Sequence, residues 1–322
     1  MLIGTKCCFL FRSKLVVLVF ALMIGLITFS SCNTFGGRTN ETSVVFVGDL
    51  LLDRGVRTRV EHLGMNSLFH PSIDSIFSES DIVIANLECP ATTIKEPINK
   101  KFIFRAEPSW LKSLKEHGIT HLNMANNHAM DQGRNGLVDT NKNIRNNGLI
   151  ALGYGENTEK ACQPQLIATI PRNVYVLSSL QVPSENWTFL ENKPCVCEDS
   201  FDVISSRIRK LKNQEPNSVV IVQLHWGAEH TRIPLTYQKQ QAYQLIDSGA
   251  DGIIGHHPHT IQTIEKYKQK SIYYSIGNFI FDQNKPINSK GLLVQLNVSK
   301  NDVTFNHSEF TIEKCTPKVL YD

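Results

Sequence analysis

Five short, largely apolar runs constrain this chain more than any other feature. They are SVVFVG (43–48), DIVIAN (81–86), THLNMA (120–125), SVVIVQL (218–224) and DGIIG (251–255), and each reads as a buried strand. Between them lie PSWLKSLKEHG (108–118), RNGLVDTNKNIRNNG (134–148), FDVISSRIRKLKN (201–213) and YQKQQAYQLIDSG (237–249). These carry apolar residues at helical spacing and finish at or near Gly or Asn. Strand–helix alternation implies an α/β fold with a largely parallel sheet. The tail differs: SIYYSIGNFIF (271–281), GLLVQLNV (291–298) and DVTFNHSEFTI (302–312) read as successive strands, forming a second sheet or an antiparallel extension. Residues 183–200 show no clear pattern and read as a surface loop.

Each of the five runs ends in polar residues. The first reaches Asp49, the second Asn86-Leu87-Glu88, the third Asn126-Asn127-His128, the fourth His225-Trp226-Gly227 and the fifth His256-His257-Pro258-His259. In open α/β sheets ligands bind beyond the carboxyl ends of the strands, so parallel neighbours would bring all five clusters to one crevice. Carboxylate, amide oxygen and imidazole together are donors for Mn, Fe or Zn, and no cysteine is among them. Buried polar groups are costly unless satisfied, and a shared cation satisfies such a set. On an extended chain, residues two apart face the same side. That pairs His257 with His259 and turns His256 away.

Composition excludes little beyond disorder: 41% hydrophobic and 20% charged residues are ordinary for a globular chain. A net charge of +3, with no Lys/Arg stripe, argues against nucleic acid as a partner. The N-terminus says more. Lys6, Arg12 and Lys14 precede the apolar run 15–29, followed by Ser30-Ser31-Cys32. Basic flank, short apolar run and small residues form a secretory signal, and the run is shorter than the ~20 residues of a spanning helix. A cysteine directly after the small pair resembles a bacterial lipoprotein signal with Cys32 as the lipidated residue. Residues 1–32 are then signal, 33–42 a polar tether, and 43–322 a single domain in the cell envelope. Beyond Cys32 the cysteines are Cys89, Cys162, Cys195, Cys197 and Cys315. A disulfide joining Cys162 to Cys195 or Cys197 suits an oxidising compartment, but sequence does not give the connectivity.

Seven blocks carry a family likeness. GDLLLDRG (48–55), IANLECPAT (84–92), KFIFRAEP (101–108), MANNHAMDQGRNGLVDT (124–140), HWGAEH (225–230), GADGIIGHHPHTIQ (249–262) and YSIGNFIFDQ (274–283) resemble, in order, those of the CapA/poly-gamma-glutamate capsule synthesis family, a branch resembling calcineurin-like metallophosphoesterases. The resemblance implies a four-layer αββα sandwich holding one or two divalent cations per chain. It implies Asp49, Glu88, Asn127, His225, His257 and His259 as ligands, with Glu88 bridging, and His128 as an acid or charge stabiliser at the substrate. It also implies a membrane-tethered hydrolase, a phosphoesterase linked to capsule polymer, with polymer synthase subunits and an anionic polymer or phosphoester as partners. The alternative is a non-catalytic anchored factor that supports polymer synthesis or export.

One departure stands out. The phosphoesterase first motif is Asp-x-His, whereas here Asp49-Leu50-Leu51 has no histidine. The first cation lacks a nitrogen ligand unless Asn86 or Asp53 reaches in. His256 is a candidate to hold a ligand by hydrogen bond. Asp131, Glu229 and Asp282 either orient ligands or are surface carboxylates. Arg105 either meets an anionic substrate through its guanidinium fork or pairs with a neighbouring element.

Overall fold

The computed structural model describes residues 41–183 and 185–319. The signal segment, Cys32 and most of the tether lie outside the described residues. The first strand begins at Glu41, so the last two residues of the expected tether belong to the sheet.

Two sheets lie between helices. In the first, strands Glu41–Leu50, Ile82–Leu87, His121–Asn123 and Ile150–Leu152 run parallel in that spatial order. Lys290–Ser299, Val303–Glu313 and Thr316–Val319 extend it antiparallel from the other edge of Glu41–Leu50. In the second, Lys270–Tyr273, Gly252–His256, Val219–His225 and Val174–Leu180 run parallel, edged by antiparallel Ile264–Tyr267 and Gln165–Ala168. Phe46, Ile84, Val176, Ile221, Ile254 and Val294 share the core between the two sheets. On the far side of the first sheet, Val47 and Val83 pack with Leu111, Leu137 and Ile144 of helices Leu111–Glu116 and Gly133–Asn146. On the far side of the second, Val220 and Val222 pack with Ile204, Ile208 and Leu245 of helices Phe201–Gln214 and Thr236–Asp247. The result is the αββα sandwich. Because helices cover one face of each sheet and the other sheet covers the other, the central strands are apolar throughout rather than alternating. Each fully buried Val, Ile or Leu contributes about 1.5–3 kcal/mol.

The helices end where the backbone turns left-handed. Gly118 (φ 96°), Gly148 (φ 69°) and Gly249 (φ 111°) follow the ends of three of them, conformations only glycine adopts freely. One expectation is corrected. Residues 271–281 do not form one strand: Lys270–Tyr273 lies in the second sheet, and Asn278–Ile280 pairs with the end of Glu41–Leu50 in the first. The chain changes sheets at Gly277 (φ 74°), whose carbonyl accepts from the Asp49 amide at 3.1 Å. Gly48 permits this crossing, since a Cβ there would stand 1.9 Å from the Gly277 oxygen.

The loop over 183–200 is tied down at its end. Cys195–Val196 pairs with Tyr154–Gly155, and Cys197 is bonded to Cys162 across a separation of 35 residues. Cys89 and Cys195 are buried free thiols. Closing a loop of that length restricts the unfolded chain by about 3–4 kcal/mol. Cys162→Ser is therefore expected to lose roughly that much stability in thermal or urea melts. An unchanged midpoint, with and without reductant, would show that the crosslink does not form.

Candidate metal centre

The parallel strands of both sheets point their carboxyl ends to one edge of the sandwich, and there the polar clusters meet. Asp49 is wholly buried at the end of its strand. Its Oδ1 accepts from Asn86 Nδ2 at 2.8 Å, and its Oδ2 lies 3.1 Å from His259 Nδ1. Glu88, one residue past strand Ile82–Leu87, is also wholly buried, and neither carboxylate oxygen has a hydrogen-bond partner among the described residues. His225 Nε2 stands 3.6 Å and His259 Nε2 3.8 Å from Glu88 Oε1, beyond hydrogen-bonding range. The ring of His257 lies 4.9 Å from that of His225, and its Nδ1 is buried and unpartnered. Asn127 Oδ1 is 2.9 Å from His225 Nε2.

Asp49, Glu88 and His259 form one group whose donor atoms lie within 4.8 Å of one another, and Glu88, His225 and His257 form a second. Glu88 is common to both. A buried carboxylate with two unsatisfied oxygens, among imidazoles too far away to bond it, is costly as it stands and fits a bridging cation ligand. The donor set is oxygen and nitrogen throughout, suited to Mn, Fe or Zn. A third acidic group, Cys162 with Cys197 and Asp199, is accounted for by the disulfide.

The two carboxyls titrate in opposite directions. Burial would raise Asp49, but the imidazoles of His256 and His259 beside it outweigh that and hold the carboxyl well below the usual range. Burial and the neighbouring Asp49 charge push Glu88 well above it. Burial opposes a charge on His259, yet Glu88 and Asp49 carry it up to about 9. Burial, with His259 nearby, brings His257 down to about 4. Near neutrality the cation-free site therefore keeps a proton on His259, while burial favours the neutral form of Glu88. A cation taking His259 must displace its proton, so binding weakens as pH falls. Below pH about 9 the affinity is expected to drop by up to about tenfold per unit for each proton displaced. Titration calorimetry with manganese in buffers of different ionisation enthalpy reads the proton count directly, and a pH-independent affinity would contradict this assignment.

His256 does not turn away. Its Nδ1 lies 3.5 Å from Asp49 Oδ1, without a hydrogen-bond partner among the described residues, and its Nε2 3.4 Å from Gln223 Nε2, so it faces Asp49 from the second sheet. The alternation that set it apart fails because the extended chain ends at His256: His257 (φ 94°) and His259 (φ 54°) both have left-handed backbones. His257 and His259 do converge, with rings 6.1 Å apart, but through this turn. The turn is held by the His230 amide donating to the Pro258 carbonyl at 2.9 Å, and the His257 amide faces Asp49 Oδ2 at 3.4 Å. Such strain collects where a site over-determines the backbone.

His128 forms the opposite wall. Its Nδ1 is 2.8 Å from Asp131 Oδ2, which fixes Nδ1 as the protonated nitrogen and leaves Nε2 to act. Phe104 packs 4.3 Å from the ring. Burial lowers the His128 pKa against the pull of Asp131, and Lys100 and His259 lower it further. Asp131 is thus an orienting carboxylate, buried and also bonded by the Phe104 amide at 2.8 Å.

Other candidates fall elsewhere. Asp53 caps helix Arg54–Leu63, pairs with Arg57 and accepts from the Arg105 amide, so it does not reach the first group. Asn86 does reach in, but with its amide N–H on Asp49; its oxygen is occupied by Asn123 and Asn126. Leu51 is fully buried in the core. The Arg105 guanidinium is taken up by the Thr92 carbonyl (2.7 Å) and Glu107 (2.7 Å), the pairing alternative. Asp282 pairs with Arg54 and the Gly55 amide. Glu229 is half exposed, and its charge reaches Glu88, His257 and His259 from the rim. Sequence reading placed Asn126 in the third polar cluster without giving it a role, and missed Lys100, Asn123 and Asn278; the last meets His259 Nδ1 at 3.0 Å.

Comparison with known proteins adds the following. Residues 43–283 match the family described as bacterial capsule synthesis protein PGA_cap. The chain is 32% identical over 309 residues to the PGA biosynthesis protein CapA of Bacillus subtilis (strain 168), covering 93% of this chain and 80% of that protein. It is 31% identical over 271 residues to the capsule biosynthesis protein CapA of Bacillus anthracis, covering 82% and 66% respectively. Among solved structures, the Haemophilus influenzae NAD nucleotidase NadN superposes with a TM-score of 0.52 at 10% identity, over 88% of this chain and 54% of that one. That likeness is one of fold, and the fold is of the metallophosphoesterase type.

Proposed function

The chain belongs to the bacterial capsule synthesis protein family PGA_cap, and on that premise we propose that it is a metal-dependent phosphoester hydrolase of the cell envelope, acting in poly-gamma-glutamate or capsule polymer biosynthesis. The observation that carries the hydrolase reading is Glu88, buried without a partner and shared by two donor groups. Asp49, Glu88 and His259 would hold one cation, and Glu88, His225, His257 and Asn127 a second. Held there, the cations would supply an activated water and Lewis-acid charge for in-line displacement. The chain's own residues do the rest. Asp131 holds the His128 Nδ1–H, and in its imidazolium form His128 would give the Nε2 proton to the leaving oxygen or stabilise its charge. Asn86 keeps Asp49 from swinging out of line, with His256 facing it.

The test is turnover of bis-p-nitrophenyl phosphate and p-nitrophenyl phosphate by protein loaded with Mn, Fe or Zn. Hydrolysis lost to chelator and restored by metal is expected. A fully loaded protein inert on both esters and on a gamma-glutamyl oligomer would overturn the reading. In that case the second reading, a non-catalytic factor for polymer synthesis or export, takes its place. Leu51 in the core, where the phosphoesterase motif has a histidine, favours it.

The envelope location rests on the signal ending at Cys32 and is supported by the Cys162–Cys197 disulfide, which belongs to an oxidising compartment. A lipid on Cys32 would bring the domain to the bacterial membrane beside polymer synthase subunits. Mass spectrometry of the native N-terminus is expected to find a lipidated Cys32; an intact Met1 would contradict it.

A further inference from the structure

The ammonium of Lys100 is nearly sealed from solvent, its side chain 2% exposed, in an irregular segment that crosses the site. Buried lysines are rare unless paired. This one donates to the Asn127 carbonyl at 2.7 Å and to Asp131 Oδ1 at 3.0 Å, and lies 3.3 Å from His128 Nδ1. An ion pair made only for the fold would need Asp131 alone. The bond to the Asn127 carbonyl is a separate one, and it falls on the peptide between two functional side chains. The orientation of that peptide decides both where the Asn127 amide points, now at His225 Nε2, and where the His128 ring stands. Asp131 meanwhile divides its oxygens, Oδ1 to Lys100 and Oδ2 to His128 and the Phe104 amide.

We propose that Lys100 is a positioning residue: by clamping the Asn127 carbonyl and Asp131 together, it aims the Asn127 amide oxygen into the Glu88, His225 and His257 group and holds His128 in register with it. This rests on the metal-centre reading above. Groups that orient ligands in this way typically matter by about tenfold to hundredfold in metal affinity.

Either single change, Lys100→Met or Asp131→Asn, leaves a buried charge unbalanced and is expected to be less stable. The informative comparison is Asp131→Asn against Lys100→Met/Asp131→Asn, which removes the charge pair in both and the clamp on Asn127 only in the second. Manganese binding is read by titration calorimetry on the full chain, with circular dichroism as the check on folding. Asp131→Asn is expected to keep its two binding phases. The double variant is expected to lose about tenfold to hundredfold in the phase that involves Asn127, leaving the other unchanged. Equal binding by the two variants would reduce Lys100 to an ion pair for the fold. Wild-type protein that binds none of manganese, iron or zinc would overturn the metal centre, and the role of Lys100 with it.

Discussion

Glu88→Gln is expected to strip the protein of both cations while leaving its fold intact. Glu88 is the one residue common to the two donor groups, so its loss removes a ligand from each at once. Changes to groups that merely orient a ligand cost about tenfold to hundredfold. Removing a shared ligand should exceed that, and turnover should fall with the metal content. The stability of the metal-free protein should move the other way or not at all. In the absence of a cation a charge on Glu88 is costly, because burial and Asp49 push its carboxyl well above the usual range. Glutamine has the same shape and carries no charge, so the metal-free protein is expected to be unchanged or more stable. Metal analysis and thermal melts with chelator check the two halves. Full metal retention would remove Glu88 from the site; collapse of the metal-free fold would make it structural.

His128→Ala carries the other large effect. The ring sits against Phe104 and Asp131, outside both donor groups, so cation content should be unchanged. Loss of a positioned general acid typically costs about 10²–10⁴-fold in rate. Turnover of a phosphodiester should fall by that order. The deficit should shrink on substrates with a leaving group that needs no proton. A variant as active as wild type would place His128 outside the chemistry, and one that loses metal would make it a support for Asn127.

Much of this was legible because the fold buries its central strands on both sides. SVVFVG, SVVIVQL and DGIIG stand out as unbroken apolar runs, and their polar ends mark the edge where a ligand sits. Strand Val174–Leu180 gave a weaker signal, since it ends in Ser178, Ser179 and Leu180. Helix Arg54–Leu63 gave little, burying only Val56 and Val60. The split of residues 271–281 depends on Gly277 meeting Gly48, a contact between distant segments that no local pattern encodes. In the site, the residue types were readable and their directions were not. His256 faces Asp49 because the strand stops there, and the left-handed turn through His257 and His259 is held by the His257 amide on Asp49 and the His230 amide on the Pro258 carbonyl. Lys100 was invisible for a related reason. A lysine in a loop is ordinarily a solvated charge, and only the fold brings Asn127 and Asp131 to it.

Every role proposed at this edge of the sandwich requires that it hold metal. The most direct measurement is the manganese content of the purified full chain by plasma mass spectrometry, beside Glu88→Gln. The two donor groups predict close to two ions per chain for the wild type and close to none for the variant. A wild-type protein without metal after loading with Mn, Fe or Zn would contradict it.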